Sequence, residues 1–171
     1  MGVVFFAAAC IFVTFAVGPY YKLIYMIGDS MDPTVEHGRI LIVKRALKEY
    51  SPRRYDVVAI EDVAAGDLLV KRVLALPGEW YEIREGVVYL NGNKRMDLYG
   101  HGKISFDLVD ALTNEYLRYW NGPDKGKVVI ELVDQKPEQV PPGHVWVIGD
   151  NRKDSWFGLL PTSHIRGTID R

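Results

Sequence analysis

Residues 68–79 have the sequence LLVKRVLALPGE. An aliphatic run over 68–76 that stops at Pro77-Gly78 predicts a buried β-strand followed by a turn. Runs of the same kind, bounded by charged or turn residues, recur along the chain and predict a mainly β protein. The predicted strands cover residues 40–43, 55–60, 68–76, 81–84, 87–90, 128–133, 144–148 and 164–169.

Turns and one helix complete the predicted pattern. Glu85-Gly86, between two strands, predicts a tight hairpin, and Asn-Gly-Asn at 91–93 predicts the next turn. Residues 107–120 carry apolar and aromatic residues at helical spacing and predict a helix. The stretch 93–142 is more polar than its flanks, and we expect it to form a smaller inserted lobe of a catalytic domain that covers residues 22–171.

The N-terminal residues predict a membrane anchor. Residues 2–17 contain one polar side chain and no charge, and as a helix they would span roughly 24 Å, just short of the ~30 Å hydrocarbon core. Tyr20 and Tyr21 can complete the span at the interface. We therefore expect a single transmembrane helix over 1–21. A cleaved signal peptide fits less well, because no basic side chain precedes the run. A lipid-modified Cys10 also fits less well, because the apolar stretch before it is short.

Composition excludes several classes of protein. The chain has 171 residues, enough for one domain with its own core or one domain with a small insertion, and a formal net charge of -1. That charge gives no indication of nucleic-acid binding. A single cysteine excludes an internal disulfide framework and a cysteine-rich zinc site.

Ser30 is the candidate nucleophile. The segment Gly28-Asp29-Ser30-Met31-Asp32-Pro33-Thr34 follows the apolar run 23–27, and the proline prevents helix continuation, so Ser30 is predicted on a turn beyond a strand. A glycine two positions earlier lets a substrate backbone approach. Taken alone, the segment is equally compatible with an ordinary surface turn.

Lys71 is the candidate base, because a serine hydroxyl needs one at neutral pH. With a period of two, Lys71 shares a strand face with Leu69, Val73 and Ala75, and apolar neighbours lower the pKa of a lysine. Arg72 is predicted to point to the opposite face, towards solvent. The four histidines lie in predicted turns or at strand edges and are interpreted as solvated or structural residues. A lysine at a strand edge that reaches solvent is the alternative interpretation of Lys71.

A third segment joins the first two. The apolar strand 144–148 runs into Gly149-Asp150-Asn151-Arg152-Lys153-Asp154-Ser155, a polar turn of the kind that holds a catalytic group through side-chain to backbone hydrogen bonds.

In this order the segments resemble the type I signal peptidases, membrane-bound Ser/Lys proteases. The nucleophile segment resembles the family's first box, and RYDVV at 54–58 resembles its Arg-Gly-Asp-Val-Val box with Tyr55 in place of glycine. Residues 71–79 resemble the general-base box, with Ala75 where glycine is usual. Gly149-Asp150-Asn151-Arg152 with Ser155 resembles the last box.

This resemblance implies roles for individual residues. Ser30 attacks the scissile carbonyl, its backbone N–H contributes to the oxyanion hole, and Lys71 accepts the hydroxyl proton. Ser155 orients the lysine amine. The remaining members, which support the site, are Asp150, Arg152 and Gly28.

The resemblance also implies partners and location. The expected function is removal of N-terminal signal peptides, and no metal or cofactor is implied. Substrates are preproteins or prepilins with small residues before the cleaved bond, and membrane lipid is a partner. We expect a single-pass protein of the cell membrane with its catalytic domain on the extracytoplasmic side.

Two departures leave alternatives open. Gly28 lacks the hydroxyl that serves the oxyanion in some relatives, and Ser155 is followed directly by Trp156-Phe157-Gly158 without the usual Asp and Arg. A conjugative-transfer peptidase that matures a pilin subunit is the alternative enzyme. A non-catalytic, membrane-tethered peptide-binding domain is the alternative outside enzymes. A GDSL-type esterase is excluded, because Pro33 follows the serine and no Asp precedes His164 by three residues.

Overall fold

The computed structural model describes residues 18–46, 50–61, 68–95, 98–107 and 130–170. Within them the chain forms thirteen strands and one short 3-10 helix. The strands are β1 Tyr21–Tyr25, β2 Ile40–Arg45, β3 Val57–Glu61, β4 Leu68–Ala75, β5 Trp80–Arg84, β6 Val87–Leu90, β7 Asn93–Lys94, β8 Ser105–Asp107, β9 Ile130–Leu132, β10 Gln135–Gln139, β11 His144–Ile148, β12 Phe157–Pro161 and β13 Ile165–Ile169, and the 3-10 helix is Thr162–His164.

Two larger sheets organise these strands. A seven-stranded sheet has the order β1-β2-β13-β3-β4-β11-β12, and a four-stranded sheet has the order β10-β5-β6-β7. All neighbouring strands are antiparallel. Strands β8 and β9 form a separate pair. The prediction of a mainly β protein is therefore confirmed.

The predicted strands are present, with shifts at their ends. β6 and β11 begin and end as predicted, whereas β3 starts at Val57 and not at residue 55. The Glu85-Gly86 hairpin is confirmed, with both residues in the left-handed region at φ 47° and 72°. The sequence did not predict strands β7, β8, β10 and β12.

Two predictions fall on residues that are not described. The anchor predicted over 1–21 lies outside the described ranges up to residue 17, and its last residue, Tyr21, belongs to strand β1 and not to a helix. The helix predicted over 107–120 also lies outside them, except for Asp107, which belongs to β8. Across the part of the chain that is described, no helix combines the length and the apolar character needed to cross a membrane.

The second sheet packs on one face of the large sheet. Trp146 and Ile148 of β11 share a core with Tyr81 and Ile83 of β5, and the Trp146 and Tyr81 rings stack with centroids 5.0 Å apart. Aromatic pairs of this kind add to the stabilisation from buried area. The packing therefore fixes the end of β11, from which the next loop begins.

Strand β4 carries a change of face at its end. Its register against β11 shifts between Val73 and Ala75, so that Val73 pairs with Val147 but Ala75 pairs with Trp146. Val73 packs in a cluster with Val58 and Val147, and Ala75 packs in the core between the sheets. The prediction that Ala75 shares a face with Lys71 is therefore wrong, because the irregular register inserts one residue into the alternation.

Candidate active site

Ser30 lies on the turn that connects β1 and β2, as predicted. Gly28 has φ +88°, a backbone conformation that side-chain-bearing residues rarely adopt. The Gly28 N–H donates to His37 Nδ1 at 3.0 Å, which fixes the start of the turn. No hydrogen bond uses the Ser30 N–H among the described residues, so this donor is available to a ligand.

The Lys71 side chain extends from β4 to Ser30 on the turn between β1 and β2. Its Nζ lies 2.7 Å from Ser30 Oγ, and the side chain is only 4% exposed. Val58 lies opposite Lys71 on β3, and both Val58 and Val73 are fully buried on the same face. The period-two argument therefore placed the amine correctly beside these apolar neighbours.

The surroundings of Lys71 change its protonation. Burial lowers the pKa of Lys71 from 10.5 to about 8, while the negative charges of Asp154 and Asp150 act in the opposite direction. Burial disfavours the charged ammonium because it removes water. A free lysine is almost wholly protonated at neutral pH, whereas an amine with pKa about 8 is neutral in roughly one molecule in ten at pH 7.

The loop after β11 lies against the nucleophile turn. A Cβ added to Gly149 would collide with Ser30 O and with Ser155 Oγ, so only glycine fits between them. The Gly149 N–H donates to Ser155 Oγ at 2.7 Å, and Ser155 Oγ donates to Trp156 O at 3.0 Å. Within the described residues no hydrogen bond joins Ser155 to the Lys71 amine. Ser155 is therefore a support of the Gly149 backbone in this structure.

Asn151 fastens the nucleophile turn from this loop. Its backbone N–H donates to Ser30 O at 3.1 Å, and its side-chain Nδ2 donates to Asp29 O at 3.3 Å. The sequence placed Asn151 in a polar turn but did not predict this contact. Asparagine in a Gly-Asp-Asn turn has the donors needed to bind a neighbouring backbone, which is the clue that the pattern offered.

Arg72 forms a buried ion pair with Asp150 beside the active site. Its Nε and Nη2 donate to the two carboxylate oxygens of Asp150 at 2.7 and 2.6 Å, and both side chains are almost inaccessible. The guanidinium also lies 3.9 Å from the centre of the Tyr99 ring. The prediction that Arg72 points to solvent is wrong, because the loop after β11 and Tyr99 cover that face of the strand.

Arg152 is the second buried cation of this loop. It donates from Nη1 to Gly149 O at 2.8 Å. Burial lowers the pKa of Arg152 to about 10, and the positive charge of Arg72 acts in the same direction. Arg152 thus holds the backbone of Gly149 from the side opposite to Ser155.

A cleft of about 490 Å³ opens beside Ser30 and Lys71. Its apolar walls include Ile27 of the β1 end and Leu69 of β4. A larger cavity of about 550 Å³ lies around Tyr55 and Tyr99, and neither member of the dyad lines it. The smaller cleft is therefore the one placed for chemistry at Ser30.

Comparison with known proteins identifies the family. The family model described as signal peptidase, peptidase S26, matches residues 1–171. The chain belongs to this family. Signal peptidase I of Bacillus caldolyticus is 31% identical over 170 residues, which cover 96% of this chain and 85% of that protein. Signal peptidase IB of Staphylococcus aureus (strain COL) is 28% identical over 169 residues, covering 95% and 83%.

A solved structure is also similar. The crystal structure of a signal peptidase I from Enterococcus faecalis V583 shares 26% sequence identity with a TM-score of 0.43, and the match covers 71% of this chain and 98% of that one. The family membership confirms the function expected from the sequence. This signal peptidase is a serine endopeptidase that removes signal peptides from exported proteins.

Tyr55 occupies the position where the family resemblance placed glycine. Its φ is 73°, in the left-handed region that favours glycine. The Tyr55 carbonyl accepts from Arg72 Nη1 at 2.7 Å, and the Tyr55 hydroxyl accepts from Arg95 Nε at 2.8 Å. These contacts offset the unfavourable backbone conformation of Tyr55.

Two histidines of the signal peptidase contact the nucleophile turn, although the sequence indicated only solvated or structural roles. His37 Nδ1 accepts from the Gly28 N–H. His101 Nε2 lies 2.6 Å from Asp32 O. A lone histidine in a turn carries no periodic pattern, so neither contact was predictable from the sequence.

Proposed function

We propose that this signal peptidase cleaves its substrates with a Ser30–Lys71 dyad. The observation that carries the proposal is the 2.7 Å distance between Lys71 Nζ and Ser30 Oγ for a lysine that is 4% exposed. Hydrogen-bond distance between a nucleophile and a base is the arrangement that activates a serine. Burial supplies the neutral amine that such a base requires.

The dyad performs acyl transfer in two steps. Neutral Lys71 takes the Ser30 hydroxyl proton while Oγ bonds to the scissile carbonyl carbon, and the carbonyl oxygen becomes an oxyanion beside the Ser30 N–H. The lysine ammonium then protonates the leaving amine, which departs as the new N-terminus of the mature protein. Water, deprotonated by Lys71, hydrolyses the acyl ester and frees the signal peptide with a carboxylate end.

The supporting residues hold the backbone of the loop after β11 against the nucleophile turn. Ser155 and Arg152 hold Gly149 at its N–H and its carbonyl, and Asp150 is held by Arg72. Gly149 allows a close approach that a side chain would block, and Gly28 adopts a positive φ that favours glycine. Rigid support of this kind keeps the reacting atoms within the narrow tolerance of catalysis.

The cleft is compatible with the substrate class that the family resemblance implies. Its apolar lining at Met26, Ile27 and Leu69 suits an extended preprotein segment with small apolar residues, such as alanine, before the cleaved bond. Such a segment excludes water from Lys71 when it binds, which favours the neutral amine further.

A pH profile tests the dyad, using a preprotein or a short peptide from its cleavage site. The rate is expected to rise with pH through about 8, since burial lowers the pKa of Lys71 to that value. The Asp154 carboxylate stabilises the ammonium and raises the pKa of Lys71. Asp154→Asn is therefore expected to move the midpoint to lower pH and to increase the rate at pH 7.

Asp170→Asn is the matched control, because Asp170 is exposed near the C-terminus and does not act on the pKa of Lys71. It should leave the midpoint in place. A midpoint in Asp154→Asn that stays fixed or moves to higher pH would show that the titrating base is not Lys71.

The hairpin β1–β2 offers a surface for membrane lipid. Its outward face pairs Leu23 with Ile42 and Tyr25 with Ile40, and all four side chains are exposed, Leu23 by 67%. Ile27 extends the face towards Ser30. A contiguous apolar face of this kind is typical of membrane contact sites. Lys44, which lies opposite Tyr21 on the same face, is exposed and suits anionic headgroups.

Lipid contact through this surface would hold the dyad at the membrane, where signal peptides are found. Together with an N-terminal span before β1, it supports a single-pass protein of the cell membrane, and the resemblance to the type I signal peptidases implies that the catalytic domain sits on the extracytoplasmic side. Two points of attachment are stronger than one, because the second contact forms at a high effective concentration.

Vesicle binding tests this lipid contact. A protein that lacks residues 1–17 is expected to cosediment with vesicles of phosphatidylcholine and phosphatidylglycerol. Leu23→Ser should weaken binding about tenfold, because one leucine no longer buries its side chain in lipid. Leu98→Ser removes an even more exposed leucine outside the hairpin and should bind as the parent does. Equal binding of both variants would assign the contact to another surface; circular dichroism checks that each remains folded.

A further inference from the structure

We propose that His101 is a positioning residue, which holds the nucleophile turn in place. It lies in the segment of residues 98–104 between β7 and β8, which we call the strap. The inference rests on the proposed Ser30–Lys71 dyad, because the atom to be positioned is Ser30 Oγ.

The strap lies against the supports of the site. The Tyr99 ring covers the Arg72 guanidinium at 3.9 Å. A Cβ added to Gly100 would collide with the Arg152 guanidinium, so the backbone passes directly over that side chain. Tyr99 thus packs on the β4 cation that holds Asp150, and Gly100 packs on the Arg152 cation of the loop after β11.

His101 joins this loop through its backbone. Its N–H donates to Asp150 O at 2.9 Å, and its carbonyl accepts from Arg152 N at 3.1 Å. The two bonds flank Asn151 and form a parallel bridge with it. Asn151 in turn donates to Ser30 O and Asp29 O, so the strap and the nucleophile turn bind the same residue from different sides.

The His101 ring then contacts the nucleophile turn directly. Its Nε2 lies 2.6 Å from Asp32 O, and a carbonyl oxygen only accepts, so Nε2 carries the proton. With this bond, the carbonyl groups of residues 29, 30 and 32 are all held by Asn151 and His101. The turn on which Ser30 sits is therefore fixed on both sides of the nucleophile.

The C-terminal end of the strap is hydrogen-bonded to the turn between β5 and β6 and to the residue after β9. Ile104 is 1% exposed in the core between the sheets. Its N–H donates to Gly86 O at 2.9 Å, and its carbonyl accepts from Val133 N at 3.1 Å. Through the buried Ile104 side chain and its two backbone bonds, the strap connects the His101 ring to the second sheet.

Three substitutions of His101 test whether its Nε2 donor positions the nucleophile turn or whether the ring only fills space. The side-chain amide nitrogen of Gln is separated from Cβ by the same number of bonds as the His Nε2. The amide nitrogen of Asn is one bond closer to Cβ. His101→Ala and His101→Asn are expected to lower kcat about tenfold with KM within about twofold, since small misplacement of a nucleophile slows chemistry. His101→Gln should recover at least half of the wild-type kcat. His144→Ala is the control, because the His144 ring bonds to the Pro142 carbonyl of its own turn.

The inference is overturned if His101→Ala keeps the wild-type kcat, if only KM changes, or if Gln and Asn behave alike. Melting temperatures of all variants show whether a loss follows from unfolding. Ser30→Ala, assayed in parallel, separates the two proposals. Activity in Ser30→Ala would overturn the dyad itself, whereas an inactive Ser30→Ala with a normal His101→Ala would overturn only the positioning role.

Discussion

Ser30→Ala and Lys71→Met are each expected to lower kcat by about 10⁴-fold or more, with the protein still folded. Nucleophile and base act as a unit, so removing either member abolishes the same step. Methionine keeps most of the aliphatic stem of Lys71 in its buried site next to Val58 and Val73, and it removes only the amine. Single-turnover kinetics on a preprotein measures the chemical step without interference from product release.

The double variant provides the sharper measurement. Ser30→Ala/Lys71→Met is expected to be within about threefold of either single variant, because the first substitution already removes the contribution of the pair. Effects that multiply would show that Lys71 and Ser30 act independently. Lys71→Arg should also be inactive, since a guanidinium stays protonated at any usable pH. A Lys71→His variant with the wild-type rate and pH profile would make the lysine a spectator.

The sequence was sufficient where chemistry and periodicity agree. Lys71 is flanked by aliphatic residues in a strand, and Ser30 precedes a proline after an apolar run, so local pattern alone placed both on the correct elements. Their 2.7 Å contact joins residues 41 positions apart. That proximity came from the family resemblance and not from the pattern of either segment.

The sequence was insufficient where a partner is distant. Arg72 forms its ion pair with Asp150, 78 residues away, and nothing in the alternation of β4 distinguishes a face covered by a loop from one covered by water. Ala75 was misplaced because one irregular register in β4 reverses the alternation. Both errors arise from tertiary contacts that local periodicity does not encode.

Polar edge strands were missed for another reason. β10 has the sequence QKPEQ with mostly exposed side chains, and its register shifts between Gln135 and Glu138 around Pro137. Proline and charged residues are tolerated in a strand at the edge of a sheet, where one side needs no ladder partner. The composition of β10 therefore argued against a strand, although β10 pairs with β5.

The Arg72–Asp150 pair is expected to control stability as strongly as the dyad controls rate. Asp150→Ala should lower the free energy of unfolding by about 3–5 kcal/mol, because it leaves a buried guanidinium without its carboxylate. Both side chains are almost fully buried, at 2% and 0% exposure, and two hydrogen bonds join them. Urea unfolding followed by circular dichroism measures the loss.

Glu61→Ala is the matched control, since it breaks the exposed ion pair between Glu61 and Arg166 and should cost less than about 1 kcal/mol. The double variant Arg72→Met/Asp150→Leu removes both charges and should recover much of the loss, because the penalty belongs to the unpaired charge and not to the absent bond. Equal destabilisation by Asp150→Ala and by the double variant would instead assign the loss to packing around Gly149 and Tyr99. In any folded Asp150→Ala protein the rate should rise at lower pH than in the wild type, since Asp150 raises the pKa of Lys71.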